Sequence, residues 1–309
     1  MKTIIKSPTP DTITEAAHLL AAGELVAIPT ETVYGLAANA LDPAAIEKIF
    51  IAKGRPRDNP LIVHVSDLEM VRGLGLEVTE LAERLAERFW AGSLTMVLRK
   101  IAEIIPAEVS CGLDTVAVRV PNHPVALELI KACKIPLAAP SANLSGSPSP
   151  TKAEHVYADL GGKIPLIIDG GSCDCGVEST VVMFDAGVIR ILRPGAVTAE
   201  QLHEFADVII DDAVYVGADA SVRPQSPGTA YKHYSPKAQV IAVEGDVAGM
   251  GEFLIENPEA RSLYAKLREF DERGAERIYI RLPEPVGIGL ALYNRIIRAA
   301  EFNIIKGEE

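Results

Sequence analysis

The chain has 309 residues, enough for one large hydrophobic core and a second, smaller domain. Hydrophobic residues make up 48% of it, yet no apolar run approaches the ~20 residues that a membrane-spanning helix requires. A formal charge of −12 repels phosphate backbones at long range and argues against a general nucleic-acid binder, while leaving room for one local basic cleft.

The first residues carry no apolar segment followed by a small-residue cleavage site, so a cytoplasmic protein is expected. The apolar run 25–29 predicts a strand that leads into Pro29-Thr-Glu-Thr-Val-Tyr-Gly-Leu36. Hydroxyls and a glycine at a strand end place side-chain oxygens and backbone N–H groups where α/β sites form. Thr30 and Thr32 would serve an ordinary turn equally well.

A helix is predicted over 43–53, and behind it comes Lys53-Gly-Arg-Pro-Arg57, three cations within five residues. Gly54 and Pro56 break any helix there. A buried strand is predicted over 60–65, carrying His64 near its end. A basic, irregular loop anchored on a core strand suits a polyanion such as a triphosphate, and in isolation it is equally a solvated loop. The chain lacks Gly-x-x-x-x-Gly-Lys-Ser/Thr, so a nucleotide here would not be held by a P-loop. His64 is either a core histidine or a ligand.

Next come a helix over 78–90, with Val78, Leu81, Leu85 and Phe89 on one face, and strands over 94–98 and 115–120. In the second strand Arg119 alternates with Val116, Val118 and Val120, so it points away from them, into either a cavity or solvent, and a cavity is the favoured reading. A helix over 124–134 and a strand over 136–139 lead to Ala139-Pro-Ser-Ala-Asn143. Ser141 and Asn143 share a face there if the backbone is extended. The Ser/Gly/Pro-rich stretch up to Pro150, with Ser149 in it, reads as a loop.

A helix over 151–160, a strand over 165–169 and the Gly-rich run 169–180 follow, then strands over 179–184 and 188–192 ending at Arg193-Pro-Gly195, and a helix over 199–205. Cys173 and Cys175 are expected to be exposed in the Gly-rich run. With Cys111 and Cys133 they lack C-x-x-C spacing, so all four are read as reduced, non-catalytic thiols and no metal site is expected. Glu31 and Glu178 are expected to pair with nearby cations.

Residues 206–237 read as a linker, closing with the hydroxyl-, aromatic- and proline-rich tract 226–236. Beyond it a strand over 239–243, a helix over 262–274, a strand over 277–282 and a helix over 290–305 predict a small three-layer α/β domain. Gly287-x-Gly289 lacks the third glycine and the preceding strand of a dinucleotide fingerprint. The predicted division is 10–205, 206–237 and 238–309. Several strands in the first unit follow one another without a helix, so its class is α/β (α+β) with a twisted sheet of mixed direction.

In this order, Pro29–Leu36, Lys53–Arg57 with Asn59-Pro-Leu61, and Ala117-Val-Arg-Val-Pro121 resemble the YrdC-like family of L-threonylcarbamoyladenylate synthases. Ala139–Asn143, Glu178-Ser-Thr180, Arg193-Pro-Gly195 and the 226–236 tract complete the resemblance, which is to the family's long form with an extra C-terminal domain. It implies a mixed sheet enclosing a concave, positively lined cavity. It also implies a nucleotidyltransferase reaction in which L-threonine, bicarbonate and ATP, with Mg²⁺ carried on the ATP phosphates, give threonylcarbamoyl-adenylate and pyrophosphate. The product would pass to a threonylcarbamoyl-transferase machinery acting on adenosine in tRNA (t6A), with no stable tRNA contact by this chain.

By the same resemblance Lys53 and Arg55 are catalytic and bind ATP, with Arg57 in their loop. Asn59, Thr115, Ser141, Asn143, Ser149, Arg193, His233 and Tyr234 are further ATP-binding residues, His233 and Tyr234 acting as a lid. Thr32, His64, Arg119, Ala139 and Ser179 would bind threonine. Against the long form, the stretch between Val243 and Ser262 is short, which questions whether the last domain has all its strands. Two rivals are a carbamoyl-adenylate step in metalloenzyme maturation, whose longer proteins carry segments missing here, and an RNA-binding module.

Overall fold

The computed structural model describes residues 1–216 and 233–307. The linker stretch 217–232, which includes most of the 226–236 tract, lies outside the described residues. Among the described residues no helix is long and apolar enough to cross a membrane.

The first unit is built on an 11-stranded sheet. Its strands are β1 (Ile4–Lys6), β2 (Val26–Ile28), β3 (Gly35–Asn39), β4 (Ile62–His64), β5 (Leu94–Arg99) and β6 (Thr115–Arg119). β7 (Leu137–Ala138), β8 (Leu166–Ile168), β9 (Thr180–Asp185), β10 (Val188–Arg193) and β11 (Val208–Ile210) complete it. The spatial order is β1-β8-β2-β3-β7-β4-β6-β5-β9-β10-β11. β3 runs antiparallel to β2 and β7, whereas β4 and β6 are parallel, so the sheet is mixed as expected. The central strands are buried on both faces, which is why β2 and β4 read as continuous apolar runs without alternation.

Helices cover the sheet where the sequence supplies start and stop signals. Asp42 caps the helix Pro43–Lys53, accepting from the Ala44 amide, with proline in its first turn. Gly54 ends it in the left-handed conformation, φ 61°. Lys53 is therefore a helical residue, 2% exposed, rather than part of a solvated loop.

Two short strands fall outside the predicted division. β1 pairs with β8 ahead of residue 10, and β11 pairs with β10 inside the stretch read as linker, so the first sheet extends from Ile4 to Ile210. β3 was hidden by its composition, because Gly35, Ala37 and Ala38 carry little strand signal.

The second unit has four parallel strands in the order β13-β14-β12-β15. They are β12 (Gln239–Glu244), β13 (Leu254–Ile255), β14 (Arg277–Arg281) and β15 (Ile304–Lys306). The helices Leu263–Glu272 and Ile288–Ala299 bury Leu267 and Ile296 against Val240, Ala242, Ile278 and Ile280. β13 shows that the short stretch after Val243 still carries a strand. The helix predicted over 290–305 stops at Ala299. Glu301 and Phe302 turn the chain with positive φ, and Ile304 and Ile305, read as helical apolar positions, pair instead with β12.

Candidate active site

The ends of β2, β4, β6 and β9 and the loops behind β7 and β10 enclose one cavity between the two units. Its empty space, the open mouth included, is about 710 Å³. His64 and Arg119 are register partners on the parallel strands β4 and β6, so their side chains leave the sheet on the same face. Both line the cavity.

At that end the Arg119 guanidinium donates to Thr32 Oγ1 at 2.9 Å and to the Gly92 carbonyl at 3.0 Å. It also pairs with Glu31 at 2.6 Å. Burial pushes the Glu31 pKa up, but the Arg119 charge and hydrogen bonds from Arg119 and the Asn122 amide outweigh it, so the carboxyl is held below its ordinary value. Thr30 Oγ1 contacts Thr32 Oγ1 at 2.9 Å and donates to the Val33 carbonyl at 2.6 Å, which fixes the turn after β2. Burial, and then Arg119, push the His64 pKa down to about 3, so its imidazole is neutral. The arrangement offers a fixed cation with hydroxyls beside it, the chemistry of a carboxylate subsite.

The other end is cationic. Lys53 Nζ donates to the carbonyls of Ser141 and Asn143, the latter at 2.6 Å, which ties the Pro43–Lys53 helix to the loop after β7. Ser141 Oγ donates to Asn143 Oδ1, and the Asn143 amide donates to the Leu144 and Ser147 carbonyls at 2.7 and 2.8 Å. Arg55 donates from Nε to the Asn59 carbonyl at 3.1 Å and from Nη2 to the Pro60 carbonyl at 2.8 Å. Arg193 reaches Ser179 from β10 through Nε to its carbonyl, 3.1 Å, and Nη2 to its Oγ, 3.2 Å. Burial lowers the Lys53 pKa well below its ordinary value, helped by the Arg55 charge, and Arg55 itself is lowered to about 10 by burial. Such depression is what crowded, water-shielded cations show.

The end of the linker closes the cavity, and the second unit packs behind it. His233 and Tyr234 line it, and Tyr234 stacks on Tyr264 with ring centres 5.5 Å apart. Glu178, the carboxylate lining the cavity, accepts from Arg295 Nε at 2.8 Å, from the Tyr264 hydroxyl at 2.9 Å and from Ser149 Oγ.

Of the residues expected from sequence, Thr32, Lys53, Arg55, His64, Arg119, Ala139, Ser141, Asn143, Ser149, Ser179, Arg193, His233 and Tyr234 all line this cavity. Asn59 and Thr115 are not on its lining. Asn59 is buried behind Arg55, and Thr115 is the half-buried first residue of β6. Arg57 does not join Lys53 and Arg55: its side chain is 71% exposed and paired with Glu47. Ser149, read as a loop residue, is fully buried. Cys173, expected to be exposed, is buried, its amide donating to the Thr151 carbonyl at 3.0 Å, while Cys175 is half-buried. Sequence reading missed Val33, Ser145, Gly146 and Ser147 on the lining. The three of the 145–147 run lay in plain view as small polar residues directly after Asn143; Val33 carried no signal.

Known proteins resemble the chain over most of its length. Residues 18–195 match the family model described as "Telomere recombination". Residues 197–257 and 256–301 match the model described as "Threonylcarbamoyl-AMP synthase, C-terminal domain". The chain is 44% identical to the threonylcarbamoyl-AMP synthase of Pyrococcus abyssi, over 94% of each chain. It is 40% identical to that of Bacillus subtilis, over 95% of this chain and 94% of the relative. Its fold matches the crystal structure of P. abyssi Sua5 complexed with L-threonine with a TM-score of 0.90 and 41% identity, covering 99% of both chains. The chain belongs to the threonylcarbamoyl-AMP synthase family, in the form that joins a YrdC-like domain to a Sua5-type C-terminal domain.

Proposed function

We propose that this synthase works by positioning two anions against each other in a cationic, largely enclosed cavity. The carrying observation is a charge balance: Lys53, Arg55 and Arg193 line one cavity together with Arg119, whose charge Glu31 already meets, and the lining carboxylate, Glu178, is bound to Arg295. Such a site wants anions.

The threonine carboxylate lies on Arg119, with Thr32, His64, Ala139 and Ser179 around the amino acid. The triphosphate lies over Lys53, Arg55 and Arg193, with Ser141, Asn143 and Ser149 beside it. The amine of threonine condenses with bicarbonate, releasing water, and a carbamate oxygen attacks the α-phosphorus while pyrophosphate leaves. Fixed cations lower the repulsion between carbamate and triphosphate, and exclusion of water protects both the carbamate and the product. The hydroxyl and amide oxygens of Ser141 and Asn143 suit Mg²⁺ carried in on the phosphates, where the ion would neutralise phosphate charge.

The adenosine end points to Asn59 and Thr115. Ile62 of β4 is the register partner of Ala117, so two residues back Thr115 comes level with Pro60, beside Asn59. Both polar atoms of the Asn59 amide are buried without a partner among the described residues, and an adenine edge supplies the matching acceptor and donor. His233 and Tyr234, at the end of the linker, close over the nucleotide as a lid. The product then passes to a transferase that acts on adenosine in tRNA.

The test is pyrophosphate release with ATP, Mg²⁺ and bicarbonate, with and without L-threonine. Release is expected only with both threonine and bicarbonate, and Lys53→Ala should cut it by about 100-fold or more. Release independent of threonine would point to another carbamate. A Lys53→Ala enzyme at wild-type rate would remove the phosphate assignment.

A further inference from the structure

Arg295 is a residue of the second unit, fully buried, at the heart of the helix Ile288–Ala299. Every arm of its guanidinium is used. Nε donates to Glu178 Oε2 at 2.8 Å, Nη2 to the Pro194 carbonyl at 3.0 Å, and Nη1 to Asn294 Oδ1 at 2.8 Å. Its Cζ lies 5.2 Å from the centre of the Tyr234 ring, within cation–π range.

These partners are not a random patch of interface. Glu178 and Tyr234 line the cavity, Pro194 follows Arg193, and the same Glu178 carboxylate receives the Ser149 hydroxyl. The segments 178–180 and 193–195 already lie backbone to backbone, because a Cβ on Gly195 would collide with the Thr180 nitrogen and the Glu178 carbonyl. Arg295 bridges the side chain of one segment and the backbone of the other. Resting on the reading of this cavity as an ATP site, we propose that Arg295, with Tyr264, is a positioning residue: the second unit uses it to set Ser149, Arg193 and Tyr234 at the nucleotide end of the cavity. At the threonine end Arg119, Glu31 and Thr32 are held through bonds of their own, none of which involves Arg295, and of that end Ser179 alone lies on a bridged segment.

A residue that merely docks the domains would behave differently, weakening both ends of the cavity alike. Arg268, which joins the units a second time through Asp159 at 2.7 Å, also donates to the Pro148 carbonyl beside Ser149, so the discriminating comparison lies between the two ligands. Planar fork geometry is what Arg295 exploits, so lysine keeps the charge opposite Glu178 but gives up the simultaneous bonds to Pro194 and Asn294.

The experiment measures, by calorimetry on the full chain, the affinities for an imido analogue of ATP with Mg²⁺ and for L-threonine, and alongside them KM and kcat for pyrophosphate release. Arg295→Met should weaken the ATP analogue by about tenfold or more and raise the KM for ATP in step, with Arg295→Lys intermediate. Threonine affinity should stay within about threefold in both. The proposal is overturned by folded Arg295 variants that bind the analogue like the wild type, or by equal losses of analogue and threonine. If Arg295→Met does not fold, Arg295→Lys decides on the same criteria. A wild-type chain that binds the analogue but never releases pyrophosphate would sink the synthase reading and leave this comparison of affinities intact.

Discussion

His64 and His233 each bury a ring nitrogen without a partner among the described residues, and burial followed by neighbouring arginine charge puts both pKa values at about 3. The folded protein thus holds both rings neutral, while the unfolded chain protonates them near their ordinary value of 6.5. A histidine pKa lowered by folding means that the unfolded state binds more protons below pH 6.5, so stability is full above that value and falls on acidification toward pH 3. Between about pH 6.5 and about pH 5, where carboxylates stay ionised in both states, each ring should cost about 1.4 kcal/mol per pH unit. His64→Gln, neutral at any pH, should remove about 2 kcal/mol of the fall over that window; urea midpoints at the two pH values measure it. An unchanged pH dependence in the variant would mean that His64 carries a proton in the native state. The same scale shows where sequence runs out. Lys53, Arg55 and Arg57 are equivalent cations on paper, and what separates them is structure: Lys53 ends the helix on its buried face, Gly54 turns the chain before Arg55, and Glu47 on the same helix draws Arg57 outward.

Elements place these side chains through their ends. Gly54 and Gly195 both flank a cavity arginine or lysine, yet they are glycine for different reasons. Gly54 has φ 61° and open space within 4 Å of where a Cβ would stand, so Gly54→Ala pays only for the left-handed backbone, about 1 kcal/mol, and should keep most of the activity. At Gly195 that space is filled by the Glu178 carbonyl and the Thr180 nitrogen, backbone atoms that cannot swing away. Gly195→Ala should therefore cost about 3 kcal/mol or more and displace Arg193, read as a lower urea midpoint together with lost pyrophosphate release. Equal, mild effects at both positions would show that the 178–180 and 193–195 segments separate easily. Strands such as β4 and β6 and helices such as Pro43–Lys53 were legible because burial on both faces and capping leave marks in composition. β3, β11 and β15 were not: small residues, a length of three residues, and a turn made without glycine leave no periodic signal for pairing that is decided by distant partners.

The whole molecule couples a large sheet domain to a second unit too small to rely on its own core. Two buried ion pairs cross between them among the described residues: Arg295–Glu178, with side chains 0% and 9% exposed, and Arg268–Asp159, at 11% and 12%. Breaking one partner of a pair buried this deeply costs about 3–5 kcal/mol, because the other charge is left stranded. That penalty is comparable to the whole stability of a domain of about 70 residues, so the second unit should not unfold while the first stays native. Calorimetry should show one unfolding transition, and an imido analogue of ATP at about 100 times its dissociation constant should move the entire transition by the equivalent of about 2.7 kcal/mol. An Arg268→Met/Arg295→Met chain should instead split the trace, with an early transition that the analogue no longer shifts. Should the wild-type trace itself split, with the analogue moving only the later transition, the second unit would be an independently folding neighbour and the cavity would owe nothing to it.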